Sequence, residues 1–155
     1  MTMEVMCVIR TLLFAAVALP LLTNPTVSGS SDQFGYSTYN AAMDALKDAQ
    51  QATGKFNAML SISVGSGEAK ALLPCRQKVA DANTLIPNAI KKLPEFQKGR
   101  VAVQTIMADV DKADKEVEDC VGDIGRSPAL KNKYMAAASD ASAAIHISGN
   151  RVSDL

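Results

Sequence analysis

The stretch LLPCRQKVADANTLIPNAIKKL, residues 72–93, decides the fold. Its residues Leu72, Cys75, Val79, Ala82, Ile86, Ala89 and Leu93 recur at alternating steps of three and four, with many charged and amide side chains between them. That period lays one apolar stripe along one face of a helix. The same spacing appears upstream at Tyr39, Ala42, Leu46, Ala49, Thr53, Phe56 and Leu60, and downstream at Val103, Ile106, Val110, Ala113, Val117 and Cys120. A fourth run, Leu130, Tyr134, Ala137, Ala141 and Ala144, follows Ser127-Pro128, an N-cap residue and a proline suited to the first helical position. Breaks fall at Val64-Gly65-Ser66-Gly67, at Leu93 to Gly99 and at Gly122 to Arg126. Such short connections make sequential helices antiparallel neighbours, and continuous strand-like alternation is absent. The predicted fold class is all-α, an up-down-up-down four-helix bundle. Within its second helix, Pro74 fits the first turn and the interior Pro87 predicts a bend.

Composition agrees and narrows the function. Among 155 residues there are 24 alanines and only 5% aromatics, a mixture suited to closely packed helices. Sixteen Lys and Arg balance 16 Asp and Glu, so no electrostatic footprint for nucleic acid or an anionic membrane is expected. One histidine and three cysteines leave little for a catalytic or metal centre. His146 has no ligand-spaced partner in the sequence, so a surface or packing role is expected. The acidic run Asp109, Asp111, Asp114, Glu116, Glu118 and Asp119 lacks the glycine and ligand order of a calcium loop and reads as a solvated helix face. No Gly-x-Ser-x-Gly elbow is present. The chain is therefore read as a binding protein with no catalytic residues, no cofactor and no metal.

Residues 1–29 read as a secretory signal peptide: Arg10, then TLLFAAVALPLL at 11–22, then the small residues Val27, Ser28 and Gly29. The apolar stretch is shorter than the roughly 20 residues of a membrane span and contains Pro20. The bundle domain is then 30–155, secreted, with no membrane attachment after cleavage. Cys7 leaves with the signal, and Cys75 and Cys120 remain. They flank the turn near Gln97 and Lys98 at matching distances, so a disulfide between the second and third helices is expected in an oxidising compartment. Two separate buried thiols are the alternative. No usable N-glycosylation sequon is present, because Asn24-Pro25-Thr26 has proline in the middle.

The chain resembles the plant invertase and pectin methylesterase inhibitor family over about residues 37 to 152. Lys70-Ala71-Leu72-Leu73-Pro74-Cys75 is similar to the family's Ala-Leu-x-x-Cys entry into its second bundle helix, and Glu116-Val117-Glu118-Asp119-Cys120 to the acidic end of its third. Ser139 to Ile145 echoes the small-residue run of its last helix. The resemblance implies a secreted, non-enzymatic protein whose partner is an acid invertase or a pectin methylesterase, acting in the apoplast or the vacuole. It also implies a target-binding turn, because Pro94-Glu95-Phe96 stands where the invertase-inhibiting branch has Pro-Lys-Phe, with Lys98 two residues beyond. Glu95 replaces the lysine, and the family's leading cysteine hairpin has no counterpart between Gly29 and Thr38. The alternative function is a secreted helical interaction or structural protein that binds an apolar or cell-wall surface without inhibiting an enzyme. Phe96 is read equally well as closing the helical hairpin.

Overall fold

A computed structural model of the chain describes residues 30–62 and 68–155, with side chains from Gly35 onward. The signal segment 1–29 and the Val64-Gly65-Ser66-Gly67 connection lie outside the described residues. Among these described residues four helices follow one another: α1 Ser30–Ile62, α2 Glu68–Gln97, α3 Val103–Gly125 and α4 Pro128–Ser153. Each packs on its two neighbours in a closed ring, α1 on α2, α2 on α3, α3 on α4 and α4 on α1. No helix among the described residues is long and apolar enough to cross a membrane.

The core follows the three-four spacing. Leu72, Cys75, Val79, Ala82, Ile86, Ala89 and Leu93 of α2 are all buried, as are Ala42, Leu46, Ala49, Thr53, Phe56 and Leu60 of α1. Thr53 enters the core because its hydroxyl donates to the Ala49 carbonyl at 2.6 Å, which leaves no orphan polar group. Ser148 uses the same device toward Ile145 at 2.7 Å. Cys75 and Cys120 form a disulfide between α2 and α3, with Cα atoms 4.7 Å apart. Three cross-helix ion pairs also join these helices: Lys92 with Asp109 at 2.6 Å toward the turn, and Lys78 with Asp123 at 3.4 Å and Asp119 at 3.7 Å near the disulfide.

Three details depart from the sequence reading. The buried stripe of α4 is Leu130, Tyr134, Ala138, Ala141, Ile145, Ser148 and Val152, so Ala137 and Ala144 sit beside the seam. Ile145 and Val152 set this register, since burying them turns Ala138 inward. Pro74 lies beyond the first turn because α2 begins at Glu68, and α2 runs on past Pro94 to Gln97. Finally, the breaks are shorter than their residue types suggest. Leu93 to Gln97 belong to α2, and Gly122 to Gly125 belong to α3, with Ile124 buried.

Candidate functional site

The turn between α2 and α3 is built by a glycine cap. Gly99 has φ +70°, the left-handed conformation that costs a glycine least. Its N–H donates to the Phe96 carbonyl at 2.8 Å, and the Arg100 N–H donates to the Glu95 carbonyl at 2.9 Å. This pair of bonds is the Schellman closure of a helix C-terminus, and it satisfies carbonyls that have no partner within the helix. Pro94, Glu95 and Phe96 therefore occupy the last turn of α2 and are not part of a free loop.

The Glu95 carboxylate is held on both oxygens, by Lys98 Nζ at 2.8 Å and by Arg100 Nη1 at 3.1 Å. These two hydrogen bonds, Lys98's being the stronger influence, hold its carboxyl below the ordinary range. One carboxylate against two cations leaves this turn with a net positive charge. Lys98 and Arg100 are both exposed, so they present that charge to solvent.

Phe96 is half-buried and packs against the core rather than projecting from the tip. Antiparallel topology brings the start of α1 and the end of α4 to the same end of the bundle. There Phe96 and Gln97 meet Gly35, Tyr36, Tyr39 and Leu155 around a cleft of about 480 Å³. The sequence reading named Pro94, Glu95, Phe96 and Lys98 at this end and missed the partners from α1 and α4. The available signal was the topology itself, because an up-down bundle places the first turns of α1 beside the last turn of α2.

Elsewhere, much of the acidic face is paired rather than free. Asp109 meets Lys92, and Asp119 and Asp123 meet Lys78. His146, read from the sequence as a surface or packing residue, is exposed and reaches across the α3–α4 seam, its Nδ1 3.5 Å from Asp114. Burial, reinforced by the charges of Glu118 and Asp111, raises the Asp114 carboxyl above its ordinary value despite the hydrogen bond from His146. The other Asp114 oxygen is buried with no hydrogen-bond partner. Among the described residues no group of three or more His, Cys, Asp or Glu is placed to hold a metal ion.

Compared with known proteins, the chain matches no family model, no curated protein and no solved structure.

Proposed function

We propose that this chain is a secreted proteinaceous inhibitor that occludes the substrate cleft of a plant acid invertase or pectin methylesterase. The observation that carries this reading is the Cys75–Cys120 tie between α2 and α3 of a four-helix bundle. It lies in the two segments on which the sequence resemblance rests. A disulfide is compatible with an extracellular location.

In this reading the protein supplies shape and charge, and the chemistry belongs to the target. The Schellman cap holds the α2–α3 turn in one conformation, so little ordering entropy is lost there on binding. The net positive turn suits a target cleft lined by carboxylates. Glu95, awkward in isolation, enters such a cleft already neutralised by Lys98 and Arg100.

The test mixes the purified, oxidised protein with acid invertase and with pectin methylesterase. Saturable inhibition of one enzyme is expected. Glu95→Lys, which adds positive charge to the turn, should strengthen inhibition of invertase, and Phe96→Ala should weaken it. Equal potency of the three proteins would remove this end from the mechanism. Unchanged activity of both enzymes in the presence of folded protein would sink the inhibitor reading.

One observation favours a second reading, a secreted helical interaction protein without inhibitory action. Phe96 packs inward and Glu95 is tied to its own turn, so neither is poised as a plug. Adsorption to an apolar or cell-wall surface, with both enzymes unaffected, is the result that selects it.

A further inference from the structure

The cleft at the α2 end has a lining unlike the rest of the surface. Among the residues whose side chains are described, Phe56 and Tyr134 are in the core, and the remaining aromatics, Tyr36, Tyr39 and Phe96, all line this one cleft. Among the described residues no charged side chain lines it, in a chain where 21% of residues are charged. Four other surface clefts each include a charged side chain, such as Asp48 and Lys55, Asp111 and Asp114, Asp44 and Arg151, or Arg76. The nearby cations Lys98 and Arg100 pair with Glu95 and do not line the cleft.

Three features define what such a cleft can recognise. Its volume of about 480 Å³ falls within the roughly 300–1,000 Å³ of small-ligand sites. Tyr36 is 63% exposed, so a large part of its ring is available for stacking. Polar groups sit around the aromatic surface: the tyrosine hydroxyls and the Gln97 amide can donate and accept.

A neutral sugar ring matches all three. One face of a pyranose is a patch of weakly positive C–H groups, which suits the negative face of an aromatic ring. Its hydroxyls radiate in the ring plane, where amide and hydroxyl partners are needed. A uronate would require a free cation among the lining side chains, and none is there among the described residues. We propose that the Tyr36–Tyr39–Phe96 cleft binds a neutral hexopyranose unit of a glycan. This holds whether or not the protein inhibits an enzyme, since the argument uses only the lining.

The experiment is an amide-resolved NMR titration of the oxidised protein with cellobiose and lactose, with digalacturonate and a hexaproline peptide as competing chemistries. Saturable shifts confined to the amides of Gly35 to Tyr39, Phe96, Gln97 and Leu155 are expected, with a Kd on the order of 1 mM for at least one neutral disaccharide. Digalacturonate should bind about tenfold more weakly, as should the same disaccharide to Tyr36→Ala, while Tyr36→Phe should keep most of the affinity. Tyr36 is exposed, so its truncation leaves the fold intact, and the spectrum of each variant checks this. No saturable shift with either neutral sugar would overturn the proposal. So would binding indifferent to Tyr36→Ala, or tighter binding of the uronate or of the peptide.

Discussion

The α2–α3 and α1–α4 pairs are both antiparallel helix contacts in one bundle, yet they are held differently. Between α2 and α3 stand a disulfide, the Lys92–Asp109 and Lys78–Asp123 ion pairs, and branched aliphatics such as Val79, Ile86, Ile106 and Val117. Between α1 and α4 the outer seam is made of alanines. Ala52 of α1 faces Ala137 and Ala144 of α4 across a groove of about 360 Å³, edged by Asp48 and Asp140. The difference reflects chain order as well as side-chain size. The helices α2 and α3 are joined by a short capped turn, whereas α1 and α4 meet only after the whole chain has folded back, a closure with a larger entropic cost. Small side chains let those two helices approach, but they leave the outer valley unfilled.

The largest expected effect comes from removing the staple. A chain-entropy estimate for closing 45 residues is about 4 kcal/mol, an upper figure. Cys75→Ala with Cys120→Ala should therefore lower Tm by roughly 10–20 °C in a thermal melt. Reductant should bring the native protein to the same midpoint. Equal melting with and without the disulfide would remove the distinction between the two pairs.

Next in size is a test of where the α1–α4 seam lies. Ala138 is fully buried, while Ala144 lines the groove. Ala138→Leu should overpack the core and cost about 1–3 kcal/mol in urea unfolding. Ala144→Leu should change stability by no more than about 0.5 kcal/mol, since the valley has room for it. Comparable losses in the two variants would mean that the α1–α4 contact is as tight as the α2–α3 contact.

The residues that were hardest to place by sequence are the same alanines. In α2 and α3, large apolar residues alternate with Lys, Asp and Glu, so the helical stripe is unambiguous and agrees with burial nearly residue for residue. In α4, alanines at 136, 137, 138, 141, 143 and 144 lie on several faces, and the three-four spacing fits more than one register. Only Ile145 and Val152 carry enough apolar surface to choose between them. Helix ends were obscured for a related reason. Pro94 reads as a breaker, but the helix ends where Gly99 can adopt positive φ, a full turn later. The candidate site was half legible: Phe96 stood beside a turn signal, while Tyr36 and Tyr39 join it only through tertiary packing.

A smaller effect is expected at that glycine. Gly99→Ala places a side chain in the left-handed region, with nothing within 4 Å of the new Cβ to clash. The loss should therefore be the backbone cost alone, about 1–2 kcal/mol. It should appear as faster amide exchange in the last turn of α2.

The smallest effect concerns the α3–α4 seam, intermediate between the two extremes. Asp114 has a raised carboxyl pKa in the fold, so the folded state binds its proton more tightly than the unfolded chain does. Its charged form thus costs stability at neutral pH, and the cost is relieved as pH falls through the raised value. Asp114→Asn should be at least as stable as the native protein at pH 7. On acidification toward the ordinary value of 3.8 the balance should shift in favour of the native protein. Parallel Tm profiles across that range would contradict the assignment.

Native-state hydrogen exchange of the oxidised protein, read amide by amide with and without reductant, tests the contrast between the pairs most directly. The slowest amides should lie in α2 and α3 around Cys75, Val79, Val117 and Cys120, with α1 and the groove side of α4 exchanging faster, and reduction should erase much of that difference. Slowest exchange in α1 and α4, or a protection pattern unchanged by reduction, would show that the stapled pair is not what holds the bundle together.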